Sequence, residues 1–183
     1  MVKQVDEMTG IEAAVRAALA GVHDPEIPPL SIVDLGIVER VEVSAGAVRV
    51  DLLPTFAGCP ALDAIHQDVT KALAEVSQGL RVEVRFVHAP PWTSDRITPS
   101  GREALRTYGL TPPSGSAPAG GPVRVTLGTR VGRPAAACPF CGSEDTVLES
   151  AFGPTLCRST HFCNACRNPF EAFKPKGPAV TGR

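Results

Sequence analysis

The spacing of apolar residues changes along the first part of the chain, and each change marks a predicted element of secondary structure. Residues 9–20 place apolar side chains every three or four positions, which predicts an amphipathic helix. The same spacing returns after Pro60, where a longer apolar stripe predicts a second helix. A shorter helix is predicted to begin near Ser100 and to stop at Gly109, because glycine favours a helix end.

Alternation of apolar and polar residues fills the intervals between these helices. Residues 36–43 and 47–54 alternate on either side of a short glycine-containing turn, which predicts a β-hairpin. A third alternating run follows at 79–88. The segment HDPEIPPLSIVDLG, which precedes the hairpin, contains prolines that disfavour both a helix and a central strand. The order α-β-β-α-β-α predicts an α+β fold, a small two-layer α/β sandwich.

Proline and glycine concentrate in the stretch TPPSGSAPAGGP, where the pattern of elements stops. The sequence therefore predicts an α/β domain over residues 1–110 and a Pro/Gly-rich linker over 111–135. A small cysteine-rich domain is predicted over 136–176, and residues 177–183 are predicted to form a tail.

The balance of charge argues against several classes of function. Lysine and arginine number 18 and aspartate and glutamate 19, so the net charge of −1 offers no electrostatic footprint for nucleic acid or an anionic membrane. No apolar run has the length of a transmembrane helix, and the first residues lack the apolar core of a signal peptide. These features predict a cytoplasmic protein, in which the six cysteines are metal ligands or reactive thiols rather than disulfides.

Two C-x-x-C pairs lie near the C-terminus. They are Cys138 with Cys141 and Cys163 with Cys166. Their spacing is typical of a zinc ribbon, in which the two-residue gap lets both thiolates of a turn bind one ion and a second turn completes the tetrahedron. An iron–sulfur cluster is the alternative occupant of such a set. So short a segment buries little apolar surface, so we expect the metal to supply its folding free energy.

A fifth cysteine, Cys157, and His161 precede the second pair and could each substitute as a ligand. Because the two pairs already supply four thiolates, the sequence favours a buried small thiol for Cys157 and a surface imidazole for His161. A zinc ribbon by itself does not name a function, and the modest positive charge of this segment gives little support to nucleic-acid binding.

The remaining cysteine, Cys59, lies in the stretch PTFAGCPALDAIHQ, between a predicted strand and a predicted helix. Pro60 suits the first position of a helix, which would make Cys59 the N-cap. A thiol at a helix N-terminus has a depressed pKa and acts as a nucleophile or a metal ligand. Gly58 would allow a partner or ion to approach closely. The alternative is a small buried residue at a turn, and the local pattern does not separate the two.

Polar residues around this turn extend the candidate site. Asp63 and His66 follow the thiol at helical spacing and could join it in binding a metal, although a solvated helix flank is the simpler interpretation. His23, Asp24 and Glu26 form a second polar cluster, for which the simpler interpretation is a set of Asx-type turns.

The stretch DPEIPPLSIVDLGIV, followed by a hairpin and TFAGCPALDAI, resembles the small domain of SufT-like and CIA-type iron–sulfur assembly proteins. The resemblance implies that two short motifs shape a surface around a reactive Cys59. The residues of these motifs are Asp24, Pro25, Glu26, Asp34, Leu35 and Gly36.

Nearly the whole chain is similar to the PaaD family, the D component of phenylacetyl-CoA epoxidase systems. The stretches that carry this similarity are APPWTSDRITPSGREALRTYGLTPP and the cysteine-rich C-terminal segment. In that family a cysteine also occupies the position of Cys157. The similarity implies an accessory subunit that helps to assemble an iron–sulfur or di-iron centre, with structural zinc in the ribbon and transient iron or cluster at Cys59.

The implied partners are the oxygenase and reductase subunits of the epoxidase, with no nucleic acid and no membrane. The chain lacks the Glu-x-x-His pairs of a di-iron bundle and the glycine-rich fingerprint of a dinucleotide site, so it is not expected to perform the epoxidation. Two alternatives remain. One is a binding subunit that only stabilises the complex, and the other is an acyl-CoA enzyme with Cys59 as nucleophile and His23 or His88 as base.

Overall fold

The computed structural model describes residues 2–44, 46–56, 58–113 and 136–176, with side chains described from residue 8 onward. The chain forms two compact units. The first comprises Met1–Pro91 and Arg96–Gly101, and the second comprises Trp92–Asp95 and Arg102–Arg183. The predicted linker and tail lie mostly outside the described residues, and the predicted domain boundaries stay a prediction.

The first unit confirms the predicted order of helices and strands. Its elements are α1 (Val2–Ala20), β1 (His23–Asp24), β2 (Ile27–Ser31), β3 (Val38–Val43), β4 (Ala47–Leu52), α2 (Leu62–Val76) and β5 (Arg81–Phe86). Helix α1 begins well before the predicted residue 9. The proline-rich segment, predicted as a loop, contributes the short antiparallel pair β1–β2, which forms a separate two-stranded sheet.

Strand β4 is the centre of the main sheet. It pairs antiparallel with β3 and parallel with β5, and the parallel connection passes through α2. One face of β4 is buried through Val48, Val50 and Leu52, and α2 buries the predicted stripe through Ile65, Val69 and Leu73. Helix α1 packs on α2 and β3 while α2 packs on β5. Two helices on one face of a three-stranded sheet form the predicted two-layer sandwich.

On the other face of this sheet, six charged residues each lie opposite a residue of the other sign. The rows are Arg40–Asp51–Arg85 and Glu42–Arg49–Glu83. Arg85 pairs with Asp51 at 2.7 Å and Arg49 with Glu83 at 2.8 Å. Cross-strand pairs of opposite charge stabilise a sheet and suit a face that meets water. This face therefore needs no covering layer.

Asp34 ties the proline-rich segment to residues that come much later in the chain. Its Oδ1 accepts hydrogen bonds from the hydroxyls of Thr98 and Ser100, each over 2.5 Å, and its Oδ2 accepts from Ser31 over 2.9 Å. These hydrogen bonds, led by the one from Ser100, lower the pKa of Asp34 although partial burial opposes the change. The same Thr98 hydroxyl accepts the Gly101 amide and caps the next helix.

Gly36 has a structural reason to be glycine. Its φ of +72° lies in the left-handed region, and a Cβ there would collide with the backbone carbonyl of Arg96. The Arg96 side chain in turn donates to the Gly36 carbonyl over 2.8 Å and pairs with Glu39 at 2.7 Å. Arg96 thus holds the turn at residues 34–36, in addition to the hydrogen bonds that Asp34 accepts from Thr98 and Ser100.

The second unit holds a four-stranded sheet. Apart from a 3-10 turn at Ser94–Arg96 and the helix α3 (Pro99–Thr107), which span the division between the units, its elements are β6 (Leu110–Thr111), β7 (Thr146–Ser150), β8 (Arg158–Cys163) and β9 (Pro169–Phe173). The strand order is β6-β9-β8-β7, with β6 parallel to β9 and the other pairs antiparallel. Trp92 is buried and its ring lies 6.0 Å from that of Phe173. The tryptophan therefore belongs to the core of this unit.

We predict that Asp34→Ala lowers the free energy of unfolding at pH 7 by roughly 2 kcal/mol, because three hydroxyl donors lose a charged acceptor. The lowered pKa means that the ionised carboxylate stabilises the fold above its unfolded pKa of about 4 and that this contribution is lost as the pH falls through the folded value. The difference between wild type and variant should therefore shrink in acid.

Urea denaturation at neutral pH and below about pH 4, followed by circular dichroism, measures this difference. Asp34→Asn, which keeps one acceptor oxygen, should lose less stability than Asp34→Ala. Asp68→Ala, at an exposed carboxylate of α2, is the control and should stay close to wild type. An equal loss for Asp34→Ala and Asp68→Ala at pH 7 would contradict the assigned role.

Candidate functional site

Four thiols of the second unit converge on one point. The sulfur of Cys138 lies 3.7 Å from that of Cys166, and the sulfur of Cys141 lies 3.6 Å from that of Cys163. All four sulfurs lie within 4.8 Å of one another. A tetrahedral ion with bonds of about 2.3 Å to sulfur would separate its ligands by about 3.8 Å. The residues therefore fit a four-thiolate metal site, as the spacing of the two pairs predicts.

The two C-x-x-C turns share one backbone geometry. The amide of Gly142 donates to the carbonyl of Cys138, and the amide of Arg167 donates to that of Cys163, each over 2.9 Å. Both residues have positive φ, +74° for Gly142 and +62° for Arg167. Each turn thus closes with a left-handed residue directly after its second cysteine, which bends both thiols toward the same side. The two pairs are therefore alike in their backbone hydrogen bonds.

Groups next to the thiols set their protonation. Burial opposes ionisation of Cys166, but the side-chain and backbone amides of Asn168 and the neighbouring thiols lower its pKa to about 6. The Ser143 amide lowers the pKa of Cys141, but desolvation and the other thiols outweigh it and raise that pKa to about 12. Metal is bound by thiolates, so metal binding displaces protons from the thiols and acid weakens binding.

Asn168 is a functional residue that the spacing argument misses. Its side-chain nitrogen lies 3.5 Å from the sulfur of Cys166. The available signal is its position, two residues after the last cysteine, in the turn that leads into β9.

The extra candidate ligands lie outside this cluster. Among the described residues, the four thiols are the one group of three or more histidine, cysteine or acidic side chains at ligand distance. Cys157 is half-buried and its sulfur lies 3.0 Å from the hydroxyl of Thr155. The expected surface position of His161 is wrong, because the ring is only 4% exposed. It stacks on Phe170 at 5.2 Å and bonds the Ser159 hydroxyl, so it serves as part of the ribbon core.

Cys59 lies in a tight turn between β4 and α2. Its amide donates to the carbonyl of Phe56 over 3.1 Å, and its own carbonyl lies 3.4 Å from the amide of Leu62. The thiol is half-buried and is not in a disulfide. The expectation that Cys59 is the N-cap is wrong, because α2 begins at Leu62 and Ala61 is the N-cap residue. Pro60 and Ala61 form an additional turn before the helix, so the thiol precedes the cap by two positions.

The polar residues predicted around Cys59 have separate structural partners. His66 Nε2 donates to the Val84 carbonyl over 3.2 Å, which fixes the ring against β5. Asp63 is exposed in the first turn of α2, where a negative charge suits the helix dipole. Cys59, Asp63 and His66 do not form a metal-ligating group in the described part of the chain. Gly58 is exposed beside the thiol.

The Asp-Pro-Glu segment forms the turn that its simpler interpretation predicts. Asp24 is buried, and its Oδ1 accepts the amides of Glu26 and Ile27 over 2.8 and 3.2 Å. His23 Nδ1 donates to the Pro28 carbonyl over 2.6 Å. Glu26 is exposed. The partners of Asp34, at Thr98 and Ser100, could not be identified from the sequence, because they lie 64 and 66 residues away.

We predict that Cys138→Ser abolishes metal retention and makes the part of the chain within 136–176 sensitive to protease, because a three-thiolate site no longer holds the ion that folds it. Elemental analysis and limited proteolysis of purified protein measure both effects, and wild type should carry about one equivalent of metal. Cys157→Ser, which changes a thiol of the same unit outside the cluster, should retain metal and resistance. Equal metal loss in the two variants would assign Cys157 to the site.

No helix in the described part of the chain has the length and apolarity needed to cross a lipid bilayer. Comparison with known protein families finds two matches, each to a different part of the sequence. Residues 12–86 match the family described as iron–sulfur cluster assembly protein, and residues 123–174 match the PaaD zinc beta ribbon domain. The first match contains the Cys59 turn, and the second contains the four thiols.

Some relatives match most of this chain, and others match about half of it. A protein of Escherichia coli (strain K12) that bears the name of the D component of 1,2-phenylacetyl-CoA epoxidase is 38% identical over 160 residues, which cover 86% of this chain and 89% of that protein. The Fe-S protein maturation auxiliary factor YitW of Bacillus subtilis (strain 168) is 36% identical over 92 residues, 50% of this chain and 89% of that protein. The crystal structure of a DUF59 domain from Bacillus anthracis is 30% identical and has a TM-score of 0.51, covering 55% of this chain and 96% of that chain.

The extent of the similarity to the Escherichia coli protein and the presence of both matched regions in one chain lead to one assignment. The chain belongs to the PaaD family. Its iron–sulfur cluster assembly region is followed by a zinc beta ribbon.

Proposed function

We propose that this chain is an accessory maturation subunit of a phenylacetyl-CoA epoxidase complex in aerobic phenylacetate degradation. It assists assembly of the iron–sulfur or di-iron centre of the oxygenase or reductase subunits, in the cytoplasm. Cys59 loses its proton and, as a thiolate, binds iron or the iron of a cluster fragment as transient cargo. The observation that carries the proposal is a half-buried, unbridged thiol in a tight turn between β4 and α2, within the region that matches iron–sulfur assembly proteins.

The backbone around Cys59 suits a transient ligand. Hydrogen bonds on both its amide and its carbonyl hold the turn, while partial exposure leaves the thiol accessible to a client. A thiolate is the form that binds metal. This sulfur could therefore bind iron while the hydrogen bonds of the turn stay in place.

The four-thiol cluster has a different role, which we assign to structural zinc. Its sulfur separations suit one tetrahedral ion, whereas an iron–sulfur cluster interposes several iron and sulfide atoms and needs a wider set of thiolates. Four protein ligands leave no open position for chemistry. Zinc there would fold the ribbon and fix its surface.

The acyl-CoA enzyme is less well supported. A nucleophilic thiol needs a base that can take its proton. One nitrogen of His66 bonds the Val84 carbonyl and one nitrogen of His23 bonds the Pro28 carbonyl, so two of the available imidazoles already serve the fold. His88, the other candidate, is exposed. A binding subunit without a maturation role is the remaining rival.

We predict that Cys59→Ser lowers the iron content of epoxidase subunits produced together with this chain, because serine keeps the size of the side chain but binds iron poorly. Iron per oxygenase and per reductase, measured by elemental analysis and absorption spectra, should fall several-fold toward the level found without this chain. The metal content and thermal midpoint of the Cys59→Ser protein itself should match wild type. Cys157→Ser is the matched control and should leave client iron unchanged.

Full iron occupancy with Cys59→Ser would show that the thiol carries nothing. Co-purification and epoxidase activity that both survive the substitution would favour the binding subunit. A mass increase on Cys59 after incubation of the purified chain with phenylacetyl-CoA, absent from Cys59→Ser, would favour the acyl-CoA enzyme.

A further inference from the structure

The turn between β7 and β8 exposes two large apolar side chains. Phe152 is 79% exposed and Leu156 is 51% exposed, and they stand within one short segment, residues 150–158. We call this segment the Phe152 turn. An aromatic ring that is largely in water costs free energy unless another surface covers it, and clustered apolar residues on a surface mark contact sites.

Hydrogen bonds hold the backbone of the Phe152 turn although its side chains are exposed. The Ser150 hydroxyl accepts the Phe152 amide over 3.0 Å and donates to the Phe152 carbonyl over 2.9 Å. The Gly153 amide donates to the Arg158 carbonyl, and the Arg158 amide donates to the Thr155 carbonyl. A Cβ on Gly153 would lie 2.9 Å from the Cβ of Arg158, so only glycine fits this close approach. A surface held in one conformation loses little entropy on binding.

The fold of the ribbon does not use these two side chains. The buried cluster at the metal site consists of Cys138, Cys163 and Phe170, with Ala136 and Cys166 packed against it. Phe152 and Leu156 lie outside that cluster, and neither is among the buried residues of the described chain. Truncation of Phe152 should therefore leave the ribbon folded, which makes a stabilising role a poor account of its presence.

A cation lies beside the Phe152 ring and is bonded to the backbone of the turn. The ammonium of Lys174 lies 5.4 Å from the centre of the Phe152 ring and donates to the Leu156 carbonyl over 2.9 Å. The Phe152 turn thus presents an aromatic ring, a positive charge and an aliphatic side chain in one arrangement. Its complement is an apolar pocket with a carboxylate at the rim, because such a carboxylate would meet Lys174 while the ring is desolvated.

We propose that the Phe152 turn is the docking element through which this chain binds a protein subunit that offers an apolar pocket with an acidic rim. This inference rests on the proposed function, since it takes that subunit to belong to the epoxidase whose metal centre is matured. Phe152 is the anchor residue of the contact, and Lys174 sets its orientation and salt dependence.

The test measures binding of the full-length, metal-loaded chain to the purified oxygenase subunits and to the purified reductase, each produced without this chain. Phe152→Ala should raise the Kd for one of them by about tenfold or more, as expected for an aromatic anchor. Lys174→Glu should raise it as well, because the charge facing the carboxylate is reversed. The wild-type Kd should rise with salt more steeply than the Kd of Lys174→Gln.

Phe140→Ala is the matched control, since Phe140 is a second exposed phenylalanine of the same unit, 59% exposed in the first C-x-x-C turn. It should bind like wild type. Metal content and the thermal midpoint, measured for every variant, separate a lost contact from a lost fold. A Phe152→Ala protein that is folded, metal-loaded and weak in binding supports the inference.

Several outcomes would overturn it. Equal Kd values for wild type, Phe152→Ala and Phe140→Ala would reject the turn as the contact while the proposed function stands. No binding of wild type to any subunit, with Cys59→Ser still lowering client iron, would reject docking through this turn and keep the maturation role. Self-association in sedimentation, or flotation with vesicles of equal parts phosphatidylcholine and phosphatidylglycerol, that is lost in Phe152→Ala would replace the proposed partner with a second copy or a membrane.

Discussion

Convergence of four sulfurs at one point is the constraint on which the C-terminal ribbon depends. The buried cluster at that point has three members, and two of them, Cys138 and Cys163, are themselves candidate ligands. So small a cluster cannot by itself offset the conformational entropy of ordering the two C-x-x-C turns around it. Thiolates at 3.6–3.7 Å would also repel one another without a cation between them. A bound ion would remove both difficulties, because it replaces the missing core and cancels the charge.

The first unit is stabilised instead by apolar burial around β4 and by pairs of opposite charges. Its sheet buries one face under two helices, and on the other face opposite charges lie across each strand pair. Where the chain contains prolines and forms little regular structure, the carboxylate of Asp24 accepts backbone amides and that of Asp34 accepts side-chain hydroxyls. The Asp-Pro-Glu and Asp-Leu-Gly motifs are therefore explained by backbone geometry, whatever they contribute to a site. Neither motif joins Cys59 in a group at ligand distance among the described residues.

Periodicity predicts the helices and strands because each element has one buried face, so that the spacing of Ile65, Val69 and Leu73 reports the helix directly. The four-thiol site follows from spacing alone, because each C-x-x-C turn is a local structure with its own hydrogen bond. Position within a turn is harder to predict. Pro60 favours Cys59 as the N-cap, whereas the extra turn through Ala61 depends on how β4 leaves the sheet.

Long-range contacts set the limit of such predictions. Asp34 meets Thr98 and Ser100, and nothing local in the sequence marks the three as partners. The burial of His161 is of the same kind, since its stacking partner Phe170 comes from the neighbouring strand β9. Spacing identifies groups that act within one turn or one helix face. Spacing does not identify contacts between side chains on different strands of a sheet.

The two kinds of thiol in this chain differ in what their surroundings permit. A thiolate in a closed set of four exchanges its metal slowly, because release requires several bonds to break and the ribbon to unfold. A single half-buried thiol in a turn can take up a ligand and release it without any loss of structure, since backbone hydrogen bonds hold the turn at Cys59. A carrier needs the second property and a scaffold needs the first. Under the proposed function, placing them in different parts of one chain would let cargo change at Cys59 while the metal that shapes the ribbon, and with it the Phe152 turn, stays in place.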